Sequence, residues 1–259
     1  MKNKFIRIIE VFLILCIIFS IYKISDYHKL NKSFKEDNRE FQNIISTSED
    51  KSLNNLDSDT KKPVANTSIE SSNVKTNDVS PQEKIKKLSA RYKNVIGRII
   101  VPGTDIDFPI VKGRDNSFYL NHNYKNEYHP FGAVFMDARN SKNFSDLNTI
   151  LYGHNVRSGH VFHDLEKFKD RDFSNEHREI IIDTPEERMI YEIIAVYTAG
   201  EYDNYRSPNY SEDEWKDFIS RIDSKNKLNN SINLDGKNIL TLSTCSDEDD
   251  RLVIHAVKI

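Results

Sequence analysis

Cysteine is scarce in this chain: 259 residues contain two, Cys16 and Cys245. That excludes a disulfide framework and any cysteine-rich zinc or iron–sulfur site. Glycine is scarce too, at eight residues, and neither GxGxxG nor GxxxxGK[ST] occurs, so no signature of a phosphate-cradling loop is present. Charge of one sign is not in excess, with 37 basic against 40 acidic side chains and a formal net charge of −3. Such a balance gives no electrostatic footprint for nucleic acid. At about 100–200 residues per domain, the length allows one or two domains.

What is present divides into three pieces. From Phe5 to Ile24, 16 of 20 residues are apolar, the exceptions being Arg7, Glu10, Ser20 and Lys23. A helix of about 20 apolar residues crosses the bilayer hydrocarbon. Lys2, Lys4 and Arg7 sit at its start, so the positive-inside bias predicts a cytoplasmic N-terminus and an extracellular remainder. A cleaved signal peptide is the competing reading. The bulky and charged residues from Ile21 to Asp26, with no A-x-A-like site, oppose it. Residues 1–28 are therefore read as a cytoplasmic N-terminus and a single-pass membrane anchor, with Cys16 a small apolar residue in mid-span.

Residues 29–80 are read as a disordered extracellular spacer. Between Ser46 and Ser80 only seven of 35 residues are apolar and none is aromatic. Such a stretch buries too little surface to offset its conformational entropy. Lys29–Ile45 carries a few more apolar groups, enough for a short juxtamembrane helix.

The folded domain is predicted over 81–259. Ser80-Pro81-Gln82-Glu83 is a capping box with proline at the first helical position, opening a helix to about Lys93. Eight short β-rich runs follow: Val95–Val101, Ile106–Val111, Ala133–Met136, Thr149–Tyr152, Glu179–Asp183, Met189–Tyr197, Asn238–Thr244 and Leu252–Lys258. Their turn punctuation predicts an antiparallel sheet closed into a barrel or sandwich. Helices are expected over about His160–Lys169 and after the capping box Ser211–Glu214, where Trp215, Phe218, Ile219 and Ile222 form a core-facing stripe.

Candidate chemistry lies in two segments and one arginine. Cys245 ends a strand-like run and precedes a polar loop, a placement that suits a reactive thiol; alone it does not separate a nucleophile from a structural cysteine. A nucleophilic thiol at neutral pH needs a base or cation nearby. His154 ends another predicted strand. His160 and His163 follow it without HExxH or a matching carboxylate pattern, so a metal site is not expected. Arg251 opens the last strand, six residues after Cys245, and returns beside it if those strands pair. It is either a solvated strand-end arginine or a donor to a developing oxyanion.

Together, Thr241-Leu242-Ser243-Thr244-Cys245, Leu151-Tyr152-Gly153-His154 and Arg251 resemble the sortase family, membrane-anchored cysteine transpeptidases of Gram-positive bacteria. The class B pattern is the most similar. It is carried by the N-terminal helix, the segments from Asn116 to His122 and from Gly132 to Asn140, and the helix around Trp215 in the insertion between strands six and seven. The resemblance implies a mainly β fold, a closed eight-stranded sortase-like barrel with an N-terminal helix and peripheral helices, preceded by the transmembrane helix. It implies Cys245 as nucleophile, His154 as general acid/base and Arg251 as oxyanion and substrate-positioning group. It places Asn116, Leu120, Tyr152, Tyr205 and Ser243 along a peptide groove.

The implied partners are secreted proteins with a C-terminal sorting signal and peptidoglycan or its lipid-linked precursor. No metal or organic cofactor is implied. Hydrolysis of the same acyl-enzyme, and a catalytically silent binding module, are the alternatives. Two departures from the class B pattern are the short loop between Cys245 and Arg251 and Ser246, where an acidic residue can stand.

Overall fold

Strands form where short β-branched runs alternate inward and outward, and each of the eight expected runs contains one. The computed structural model describes residues 2–46, 79–156, 158–200, 203–226, 228, 234, 237–245 and 250–259; of residues 2–4 and Cys245 it describes the backbone alone. The strands are β1 (Val95–Ile100), β2 (Asp107–Lys112), β3 (Val134–Met136), β4 (Asn148–Val156), β5 (His160–Val161), β6 (Glu179–Asp183), β7 (Arg188–Ala199), β8 (Ile239–Cys245) and β9 (Arg251–Lys258). Eight of them close into a barrel in the order β3-β2-β1-β6-β7-β9-β8-β4, with β4 returning to β3 and β5 added as a short hairpin on β4.

The expected antiparallel pairing is corrected at two seams, because β2–β3 and β4–β8 run parallel. Parallel neighbours need a long crossover. The chain between β4 and β8 supplies one, carrying β6, β7 and helices α3 (Arg171–Glu176) and α4 (Glu212–Lys225).

Ile99, Ile110, Leu151, Ile182, Ile193, Leu242 and Ile254 fill the interior. Two covers pack outside. Ile85 and Leu88 of α2 (Pro81–Arg91) join Phe41, Tyr119, Phe135, Ile150 and Tyr152 on one side. Phe218 and Ile222 of α4 join Tyr197, Tyr205 and Val253 on the other. The capping box of α4 is complete: Ser211 Oγ accepts from Glu214 N–H, and the Glu214 carboxylate accepts from Ser211 N–H at 2.8 Å. The helix expected from His160 is instead β5 followed by a 3-10 helix, His163–Lys169, although Val161, Leu165 and Phe168 are all buried as their shared face implied.

The helix α1 (Lys2–Ser46) is continuous through 45 residues. Its apolar stretch is exposed throughout and is long enough to cross a membrane. The spacer boundary at Lys29 is therefore corrected: 29–46 is helical, while 47–78 lies outside the described residues. The few apolar side chains of this half, Leu30, Phe34, Phe41, Ile44 and Ile45, share a helical face and pack on the barrel.

A buried polar chain crosses under the second cover. Thr241 Oγ1 donates to Asn148 Oδ1 at 2.6 Å, so its hydroxyl is free only to accept from His255 Nδ1 at 2.8 Å. His255 Nε2 then accepts from Tyr197 O–H at 2.9 Å. Asn148 Nδ2 donates to the carbonyls of Tyr205 and Ser207, pinning that segment to the sheet. Burial holds His255 neutral, pushing its pKa down to about 3. The unfolded imidazole gains a proton below its ordinary 6.5 while the folded one does not, so stability falls as pH drops from 6.5 toward about 3. In urea unfolding of the full chain between pH 6.5 and 4, His255→Gln should be less stable at the upper end. Its pH slope should be shallower by about one proton, roughly 1.4 kcal/mol per pH unit. An unchanged slope contradicts a neutral buried His255.

Candidate active site

β4 and β8 run residue against residue, from Asn148 beside Ile239 to His154 beside Cys245. Neighbouring strands lie about 4.8 Å apart, so the backbone sets positions 154 and 245 together at one end of the barrel. β8 pairs antiparallel with β9 through Ser243 and Val253. Two residues further in that register, position 245 comes opposite Arg251, whose other neighbour is Ala199 of β7. Leu151, Leu242 and Leu252 face the interior. By alternation, 154, 245 and 251 all fall on the outer row.

His154 Nε2 donates to the Leu120 carbonyl at 2.7 Å. A carbonyl only accepts, so Nε2 holds the proton and Nδ1 is the nitrogen open to exchange. Leu120 ends a 3-10 turn, Phe118–Leu120, that Asp115 builds: its Oδ1 accepts from Ser117 N–H, Ser117 O–H and Phe118 N–H at 2.7–2.9 Å. Arg251 is half-buried, and its Nη1 is buried without an acceptor among the described residues.

The five groove positions divide into two groups. Tyr152 O–H and Asn116 Nδ2 both donate to Asp137 Oδ2, at 2.9 and 3.1 Å, and Asn116 Oδ1 accepts from Ala138 N–H. Leu120 stands beside His154. Tyr205 and Ser243 form a buried pair, hydroxyl to hydroxyl at 2.9 Å, with Ser243 on the same outer row. They are floor rather than exposed lining. Ser246 lies outside the described residues.

The comparisons with known proteins agree on the family. Residues 99–259 match the model of the sortase domain. The chain belongs to the sortase family. It is 34% identical over 180 residues to sortase B of Listeria monocytogenes, covering 67% of this chain and 73% of that protein. A substrate complex of Staphylococcus aureus sortase B superposes with a TM-score of 0.66 at 29% identity, covering 70% and 87% of the two chains. Sortase B from Bacillus anthracis in complex with AAEK1 gives 0.63 at 34% identity, covering 68% and 84%. The protein is a class B sortase, and its activity is that of a cell-wall transpeptidase.

Sequence reasoning missed the side chains that organise this sortase site from behind. Asp137 is fully buried and accepts from Arg139 Nε and Nη2 at 2.9 and 2.8 Å, as well as from Asn116 and Tyr152. Burial alone would raise its pKa, but the Arg139 and Tyr152 hydrogen bonds outweigh that and hold it below the ordinary carboxylate range. Arg139 also donates to the Arg206 carbonyl at 2.6 Å, tying the two walls together. The one sequence signal was an aspartate closing the apolar run from Ala133 to Met136.

The glycine of Leu151-Tyr152-Gly153-His154 has a steric cause. A Cβ at 153 would meet the Phe162 ring at 2.7 Å and Val161 Cγ1 at 3.0 Å. Gly153→Ala should therefore cost about 1–3 kcal/mol of stability through overpacking. By displacing the end of β4 it should also lower turnover at least tenfold. Urea unfolding and a peptide-cleavage assay on the full chain check both; unchanged turnover would show that the β4 end tolerates the shift.

Proposed function

We propose that this sortase cleaves a C-terminal sorting signal after threonine and joins the product to a peptidoglycan amine through a Cys245 thioester. The carrying observation is the register of β4, β8 and β9, which brings the backbone positions of His154, Cys245 and Arg251 onto one row. The Cys245 thiolate attacks the threonine carbonyl carbon. The resulting oxyanion accepts hydrogen bonds from the Arg251 guanidinium, whose buried Nη1, without an acceptor among the described residues, supports that role. His154, held at Nε2 by the Leu120 carbonyl, has taken the Cys245 thiol proton at Nδ1 and gives it to the departing amine as the C–N bond breaks. The wall amine then attacks the thioester carbonyl, His154 takes its proton, and the Cys245 thiolate leaves.

Asn116, Leu120 and Tyr152 line the peptide groove in this reading, over the Tyr205–Ser243 floor. The apolar half of α1 spans the membrane once. Lys2, Lys4 and Arg7 keep the N-terminus cytoplasmic and the barrel outside, where secreted proteins emerge. The segment beyond Ser46 acts as a spacer.

The test uses the full chain in detergent micelles, with sorting-signal peptides and candidate amines followed by mass spectrometry. Cleavage after threonine with an amine-joined product is expected, abolished in Cys245→Ala. Arg251→Ala should slow acylation by about 100–1,000-fold, as loss of one oxyanion donor does, with the fold retained. An acid product alone, whatever amine is added, would make the enzyme a peptidase. Cleavage surviving Cys245→Ala would refute the thioester.

A further inference from the structure

Resting on that role for His154, we propose that Phe34, Asp37 and Glu40 of α1 are positioning residues for the reaction: the membrane-proximal helix clamps the two chain segments that hold the His154 ring. His154 is oriented by the carbonyl of Leu120 on one side, and on the other its strand continues into the β4–β5 hairpin. α1 grips both.

On the first side, the loop after Leu120 lies along α1 from Phe41 back to Tyr27. Lys125 Nζ donates to Asp37 Oδ1 at 2.7 Å and to Glu40 Oε2 at 2.6 Å. Asn123 Nδ2 donates to Asp37 Oδ2 at 2.8 Å, Tyr124 O–H to the Asp37 carbonyl at 3.2 Å and His129 Nε2 to the Leu30 carbonyl at 3.2 Å. The loop returns at Gly132, where a Cβ would lie 2.4 Å from the Tyr119 carbonyl oxygen and 2.8 Å from that of Leu120. The clamped loop is thus pressed against the carbonyl that accepts the His154 Nε2–H hydrogen bond.

On the second side, the Phe34 ring packs on His160 of β5 at 4.6 Å between centroids, and on Phe131 at 5.8 Å. One helical face therefore fixes both flanks of the ring. The carboxylates fit a clamp rather than a solvated face. Lys125 is largely buried between them, and its hydrogen bonds lead the causes that hold Glu40 below the ordinary carboxylate range.

A misplaced His154 fails chiefly at protonating the leaving amine, so the defect should depend on the leaving group. The experiment compares acylation of the full chain in micelles by a sorting-signal peptide and by the same peptide with a thioester at the scissile bond. The thiolate of that analogue departs unprotonated. His154→Ala sets the size of the amide-selective loss. Phe34→Ala, the double variant Asp37→Ala/Glu40→Ala, and Lys125→Ala should each slow the amide about 10–100-fold and the thioester by no more than about twofold. Lys125→Arg should restore the amide rate. Equal slowing of both substrates, or slowing of neither, overturns the clamp. If His154→Ala itself shows no amide selectivity, the acid role of His154 fails and the clamp with it, an outcome separate from a clamp variant failing alone.

Discussion

Everything in the site depends on one backbone interaction, the parallel pairing of β4 with β8. Parallel strands end at the same edge of a sheet, and the register here ends with His154 beside Cys245. An antiparallel pairing would send those two strand ends to opposite rims of the barrel. A one-residue slip would turn one of them inward. The register is held by the two faces of β8: Leu240 and Leu242 are committed to the interior, and Thr241 and Ser243 are engaged in buried hydrogen bonds outside. β9 completes the row by pairing antiparallel with β8, so Arg251 needs no separate scaffold.

Around that seam, hydrogen-bonded polar groups fix the placement of the chain. Asn148 and His255 hold the segment that carries Tyr205, Asp137 and Arg139 join the opposite wall to it, and Asp115 shapes the turn that presents the Leu120 carbonyl. Asn148, His255 and Asp137 are fully buried and hydrogen-bonded, which is what makes their burial tolerable and the geometry singular. α1 extends the same logic beyond the sheet. Its first half is apolar and bare, and its second half is an integral outer layer of the barrel.

Much of this was legible in the sequence, for reasons that can be named. Strands such as Thr149–Tyr152 and Asn238–Thr244 announce themselves by apolar residues bounded by turn formers, and Ser211–Glu214 announces α4 by its cap. The three residues proposed for the chemistry stand at strand ends, where motif and geometry coincide. Pairing direction was not legible, because the long insertion between β4 and β8 leaves both directions open until the barrel closes. Lys29–Ser46 hid its nature because five apolar residues among many charged ones do not suggest a buried face until the barrel supplies a partner. His255 and Asp137 hid for the opposite reason: a single polar residue in or beside an apolar run gives no hint of how many hydrogen bonds await it.

The central claim is that His154 and Arg251, brought together by strand register at Cys245, act as one unit in acylation. A double-mutant cycle on the acylation rate, with His154→Ala, Arg251→Ala and the combined variant in the full chain, measures this directly. Groups acting as a unit are strongly non-additive, so the combined variant should be little slower than the more damaging single one. Losses that multiply, each single factor retained in full, would mean that the two side chains act independently, and would contradict the account.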